Sequence, residues 1–190
     1  MDNIRFVLER MANSNLSEDD WQFFAAKLTK QSFNRKSTVL AAGQTESHLS
    51  FIEKGIVRFY LGDEEKQTTF GFAFENYFVS AYDSFLLQQP CNYYIETLSD
   101  TILWRLTHQD LAQIYEHTSI GNTIGRLASE DLFLKKSKRE LSLLMDSPET
   151  RYLKLFTEQP HLLKQIPLKY IASYIGITPQ ALSRIRRRIC

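Results

Sequence analysis

Leu168-Lys-Tyr-Ile-Ala-Ser-Tyr-Ile-Gly-Ile-Thr-Pro-Gln-Ala-Leu-Ser-Arg-Ile-Arg-Arg-Arg188 is the stretch that decides the reading. Leu168, Ile171, Ala172 and Ile175 recur at helical spacing and predict one apolar helix face. Gly176 follows at once and supplies the left-handed residue that ends a helix. Thr178 offers a capping oxygen, and Pro179 suits the first turn of a second helix, where its missing N–H costs nothing. Leu182, Ile185 and Ile189 give that helix an inward face, and the small Ala172 lets the two helices approach closely. Two short helices joined by a tight turn containing glycine form a helix-turn-helix.

The second helix then points Gln180, Ser183, Arg184 and Arg187 outward. A glutamine amide pairs with adenine, and a guanidinium with guanine O6/N7 or phosphate. Arg186 and Arg188, nearer the helix end, suit phosphates. Lys169 and Thr178 complete the expected DNA-facing set. A basic surface helix in an ordinary bundle is the plainer alternative, but turn, cap, proline and outward charge all favour a DNA reader.

Charge separates this end from the rest. Residues 1–144 carry 15 Lys+Arg against 19 Asp+Glu, whereas residues 145–190 carry eight basic residues and three acidic ones. A basic end on an acidic body suggests two modules, the second with a polyanion as partner. Pro148, Pro160 and Pro167 cut this end into short pieces. Glu149–Thr157 reads as a helix and Gln159–Ile166 as a compact connection.

Upstream, the pattern is helical from about Ser119 to Met145. Ile120, Leu127, Leu134 and Leu141 recur every seven residues, with Ile124 and Met145 on nearly the same side. Such a heptad fits a dimer seam, and packing against the chain's own barrel is the competing reading. Asp131 and Lys138, near the other seam position, interrupt it.

Between about Val39 and Leu106 the period is two. Val57, Phe59 and Leu61 alternate with Arg58 and Tyr60; Phe70, Phe72 and Phe74 alternate with Thr69, Gly71 and Ala73; Ile102, Trp104 and Leu106 alternate with Thr101, Leu103 and Arg105. These runs predict strands with one face on a core, and several short strands imply an antiparallel sandwich or barrel. Glu75–Asn92 breaks the alternation and predicts a short helix around Ser84–Leu87. Leu111, Ile114 and Tyr115 predict a short amphipathic turn. Near the N-terminus, Ser17 caps a helix carrying Trp21, Phe24 and Leu28.

The fold class expected is therefore α+β: an antiparallel β-barrel of jelly-roll type over residues 1–118, a long dimerisation helix over 119–145 and a helix-turn-helix domain over 146–190. The chain resembles regulators of the Crp/Fnr family, particularly the short Bacteroidetes forms. The likeness rests on Ser37–Gly43, Phe51-Ile-Glu-Lys-Gly55 with Val57-Arg58, Ile95–Asp100 and above all Tyr170–Arg186. It implies a cyclic-nucleotide-binding-type barrel and places Thr178, Gln180 and Arg184 at phosphate and base contacts. It further implies double-stranded DNA, a second copy of the chain and RNA polymerase as partners, and leaves room for a small-molecule effector.

One departure from the family matters. Members that bind cyclic AMP carry Gly-Glu, a short helix and then Arg-Ser or Arg-Thr, whereas the matching Glu75–Ile95 contains no basic residue. A buried phosphate without a guanidinium loses roughly several kcal/mol to uncompensated desolvation, so cyclic AMP is not expected. Glu75, Tyr77, Tyr82, Tyr93 and Tyr94 are the candidates for lining a pocket for another ligand; filling the barrel is the plainer role.

Other classes fit less well. His48, His108, His117 and His161 are scattered, and no phosphate loop, Gly-x-Ser-x-Gly or His-Glu-x-x-His is present, so neither an enzyme, a metal site nor a cofactor is expected. His48 or Cys91 could ligate a haem iron, but an ordinary surface or core residue is the plainer reading of each. Cys91 and Cys190 read as reduced thiols, and no apolar run is long enough for a membrane span. With no secretory signal expected in MDNIRFVLER, a cytoplasmic location follows. The remaining alternative is a ligand- or protein-binding signalling module without a DNA role, which would have no use for the basic face of Gln180–Arg188.

Overall fold

The computed structural model describes residues 1–63 and 66–189. Cys190, expected to be a reduced thiol, lies outside them; Cys91 is a buried free thiol. The backbone divides into two compact units, residues 1–59 with 72–131, and residues 60–71 with 132–190.

The first unit opens with α1 (Asp2–Ala12), whose buried Ile4, Val7 and Leu8 mark a helix beyond those that the sequence pattern predicts. In α2 (Glu18–Ala25), Ser17 Oγ accepts from Asp20 N–H at 3.1 Å, the expected cap. The strands are β1 (Thr29–Phe33), β2 (Thr38–Leu40), β3 (His48–Lys54), β4 (Val57–Gly62), β5 (Gln67–Ala73), β6 (Phe78–Val79), β7 (Tyr94–Thr97) and β8 (Thr101–Thr107). They form two antiparallel sheets ordered β1-β8-β3-β6 and β2-β7-β4-β5. The expected short helix is α3 (Tyr82–Leu87), and the amphipathic turn after β8 is α4 (His108–His117), entered through a reciprocal Thr107–Asp110 capping box.

The alternation places some side chains on the opposite face from that expected. Leu103, not Ile102 or Trp104, lies in the core between the sheets with Ile52, Val57, Ala73, Val79 and Ile95. Leu106 and Trp104 point the other way, into a second core with Ile4, Leu8, Trp21, Phe24 and Ile114 from the helices. Both faces of β8 are therefore covered, and apolar alternation cannot tell which one faces the partner sheet. In β5, likewise, Thr69 and Ala73 are buried, while Phe70, Phe72 and Phe74 are only half-buried. In β4, Val57 and Phe59 face the inter-sheet core as expected, but Leu61 is exposed. Arg58, expected to alternate outward, is only 1% exposed, and its Nε lies 2.7 Å from Glu96 Oε1.

Gly55 closes the β3–β4 turn at φ 108°, and an added Cβ would lie 2.8 Å from the Asp100 carbonyl oxygen, so the turn excludes every other residue.

The second unit holds the β4–β5 hairpin end, the later part of α5 (Gly121–Met145), α6 (Pro148–Glu158), α7 (Pro160–Gln165), α8 (Leu168–Tyr174) and α9 (Pro179–Ile189). Gln159–Ile166, expected as a connection, thus contains a helical turn. Ser147 caps α6 by accepting from Thr150 N–H. Tyr152, Leu155, Leu162, Ile166, Ile171, Ala172, Ile175, Leu182 and Ile185 are buried and supply the apolar interior of these helices. No helix among the described residues is long and apolar enough to cross a membrane.

Candidate nucleic-acid interface

The helix-turn-helix geometry follows from its residues one by one. Ile175 N–H still bonds the Ile171 carbonyl, and then Gly176 swings to φ 79°. Ile177 N–H returns to the Ala172 carbonyl at 3.0 Å, closing the helix end. Thr178 Oγ1 accepts from Ala181 N–H at 3.2 Å, and Pro179 opens α9. Ile171, Ala172, Ile175, Leu182 and Ile185 are buried as the spacing predicts. Leu168 is not: at the first position of α8 it is 41% exposed.

Thr178, Gln180, Ser183, Arg184, Arg186, Arg187 and Arg188 are all exposed, as is Lys169, whose ammonium sits over the Tyr170 ring at 4.7 Å. Arg184, Arg186 and Arg187 have no carboxylate partner among the described residues. Arg188 differs: its Nη2 lies 3.0 Å from Glu149 Oε2 at the start of α6. Between α6 and α9 runs an open cleft of ≈ 600 Å³, lined by Pro148, Glu149, Ile177, Ala181, Arg184 and Arg188 among others.

Not every basic residue of this end faces outward. Arg139 Nη2 donates to the Tyr174 carbonyl at 2.6 Å, and its guanidinium lies 3.8 Å from the centre of the Tyr174 ring. Burial lowers the Arg139 pKa from its ordinary value, with Tyr174 acting in the opposite sense. Arg151 Nε donates to the Ile175 carbonyl at 2.8 Å and its Nη1 to the Asp146 carbonyl at 2.6 Å. Lys154 pairs with Asp146 at 2.6 Å. The first two arginines thus hold the last carbonyls of α8, a role with no periodic signature in sequence.

Along α5, Ile120 (just before its first turn) and Ile124 pack against the helix-side core of the first unit. Leu127 is half-buried. Leu134 and Leu141 are exposed, and so are Phe133, Leu144 and Met145. The heptad is therefore split: its beginning serves its own chain, and its end is an uncovered apolar stripe.

The five candidate ligand residues of the barrel have different surroundings. Glu75 Oε1 accepts from Gly55 N–H and serves the β3–β4 turn. Tyr77 is exposed. Tyr82 stacks on Phe85 beside the helix-side core, and its hydroxyl lies 3.4 Å from Ser129 Oγ. Tyr93 packs against the inter-sheet core and donates its hydroxyl to Asp83, while Tyr94 is half-buried on β7. Burial, aided by the Asp83 carboxylate, raises the Tyr93 pKa well above the phenol range. Of the buried guanidiniums, Arg58 faces Glu96, and Arg105 bonds Ser50 and Gln31 with Glu46 at 3.7 Å. No cluster of metal-ligating side chains occurs among the described residues.

Residues 30–118 match the family described as cyclic nucleotide-binding domain. That match spans most of the barrel, from β1 to the end of α4. No curated protein matches the chain in sequence. Solved structures match it over most of its length. FixK2 from Bradyrhizobium japonicum superposes with a TM-score of 0.70 at 13% identity, covering 85% of this chain and 84% of its own. CLP of Xanthomonas campestris, described as a c-di-GMP responsive global regulator, gives 0.69 at 14% identity and 91% of each chain. A Crp/Fnr-family regulator structure from Eubacterium rectale gives 0.70 at 15% identity, covering 92% and 83%. The chain thus has the fold of these Crp/Fnr regulators, with the β-barrel ahead of the long helix and the helix-turn-helix.

Proposed function

We propose that the chain is a sequence-specific, DNA-binding transcription regulator that acts as a homodimer on a near-palindromic site and catalyses no reaction. In this reading residues 1–118 are a sensor barrel, 119–145 the dimerisation helix and 146–190 the DNA-binding domain. The observation that carries it is α9: Leu182 and Ile185 are buried, while Gln180, Ser183, Arg184, Arg186 and Arg187 stand exposed beyond a capped turn. A helix of that build fits the major groove, with amide and guanidinium groups at base edges and the remaining charge on phosphates. The uncovered stripe Leu134–Met145 suits a second copy, and two-fold symmetry then spaces the half-sites by roughly 34 Å. Such a protein works beside RNA polymerase in the cytoplasm.

The barrel does not respond to cyclic AMP in this reading. Each of its two buried guanidiniums already has a carboxylate of the chain beside it, and the Tyr93 hydroxyl is held by Asp83. A cyclic phosphate would enter with no cation to neutralise it, at a cost of roughly several kcal/mol. An effector for this domain would therefore be of another chemistry.

Selection of bound duplexes from a random DNA pool tests the proposal. Enrichment of a two-fold symmetric sequence, unchanged by cyclic AMP, is the expected result. A pool that returns no enriched sequence rejects the DNA reading and leaves a signalling module that binds a ligand or protein partner.

A further inference from the structure

Ser173 on α8 makes two hydrogen bonds outside its own helix. Thr69 N–H donates to Ser173 Oγ at 2.8 Å, and the Ser173 hydroxyl donates to the Gln67 carbonyl at 3.2 Å. Both partners lie on β5, the terminal strand of its sheet. The N–H of one residue and the carbonyl two residues earlier emerge on the same open side of an edge strand. They are the pair that a single residue of a parallel neighbouring strand would engage. One hydroxyl, donor and acceptor at once, takes that residue's place. Thr69 is only 1% exposed, so water does not readily replace the lost partner.

The residues after Ser173 are held as well, Tyr174 by Arg139 of α5 and Ile175 by Arg151 of α6. The last turn of α8 therefore receives bonds from the hairpin, from α5 and from α6, immediately before the Gly176 turn that aims α9. The two strands of the hairpin also run on into the first unit, where Val57 and Ala73 belong to the core between the sheets.

We propose that Ser173 is a positioning residue that couples the β4–β5 hairpin to the helix-turn-helix. Repacking of the barrel core around Val57 and Ala73 displaces β5, the paired bonds carry that displacement to α8, and the Gly176 turn passes it to α9. The regulatory part of this inference rests on the DNA-reading function proposed above; the mechanical part does not.

Hydrogen–deuterium exchange on the full chain tests it, comparing the parent with Ser173→Ala and with Ser173→Thr, which keeps the hydroxyl. Loss of the hydroxyl is expected to speed exchange about tenfold in residues 66–71 and also in residues 172–178, with Thr restoring both. Faster exchange confined to 66–71, or no change in either segment, overturns the coupling. Titration of a selected duplex then reads the consequence: Ser173→Ala shifts the affinity and Ser173→Thr does not. Unchanged affinity despite faster exchange in both segments overturns the regulatory part. If the parent binds no duplex, the DNA reading fails by itself, and the exchange result still decides whether the hairpin and α8 are coupled.

Discussion

Leu134 and Leu141 stand on α5 with 65% and 56% of their surface uncovered, and Leu144 follows with 76%. If this stripe is the seam of a homodimer, Leu134→Ala weakens association by an amount the exposures set. Burying a whole leucine side chain contributes about 1.5–3 kcal/mol. With about two-thirds of the side chain left to bury, each protomer gains about 1–2 kcal/mol, and symmetry counts the position twice. The dimer thus loses about 2–4 kcal/mol, a rise in its dissociation constant of about 30- to 900-fold. Alanine is at least as good a helix former as leucine, so the protomer's own helix is not weakened. Sedimentation equilibrium over a concentration series reads the constant directly. Leu87→Ala, at a position on α3 that is equally open to solvent, is the control and should leave it unchanged. A parent that stays monomeric at every concentration, or a Leu134→Ala chain that associates like the parent, refutes the seam.

The other expectations concern the DNA-facing unit and the barrel. Arg184→Ala should cost about 1–3 kcal/mol of duplex affinity and relax preference at one base step, as read by competition with single-base variants of the selected site. Glu149→Gln removes the carboxylate beside Arg188; affinity should rise, and the slope of log affinity against log salt should steepen by about one if the released guanidinium reaches a phosphate. Gly176→Ala meets nothing closer than 3.7 Å, so its cost is purely that of the left-handed backbone. That is about 1–2 kcal/mol, less about 0.4–1 kcal/mol regained from the stiffer unfolded chain. Urea unfolding should show a net loss of about 1 kcal/mol, and a smaller loss for Gly176→Asn. Burial, and then the nearby Arg105, lowers the His48 pKa, against the opposing effect of Asp110. The unfolded chain therefore takes up this proton at higher pH than the folded one. The stability at stake is complete above the unfolded value of about 6.5 and is lost as pH falls from there toward the lowered folded value. His48→Gln should flatten the decline in Tm between about pH 7 and pH 5, and an unaltered decline would show that His48 contributes nothing to it.

The helix-turn-helix is legible because its signals are local. Gly176, Thr178 and Pro179 act through backbone conformation and capping within a few residues, and Ile171, Ile175, Leu182 and Ile185 are spaced by the helix itself. The barrel is legible as a set of strands but not as a set of faces. Leu103 and Leu106 are both buried, in different cores, so apolar character on β8 carries no information about direction. Arg58 shows the same limit from the polar side: alternation places it in solvent, and the fold buries it beside Glu96 from a distant part of the chain.

The sequence by itself determined where helices and strands alternate, where the chain turns at Gly55 and Gly176, and which end carries the arginines that suit DNA. Those properties come from neighbours along the backbone, and each residue states its own. Tertiary structure alone decided which arginines remain available. Arg139 and Arg151 are drawn inward by the carbonyls ending α8, and Arg188 is met by Glu149. It also decided that Ser173 closes the open edge of β5, more than a hundred residues away in sequence. A charge or a hydroxyl has the same composition wherever it stands; its role depends on which group the fold brings within about 3 Å of it, the range in which hydrogen bonds and close ion pairs form.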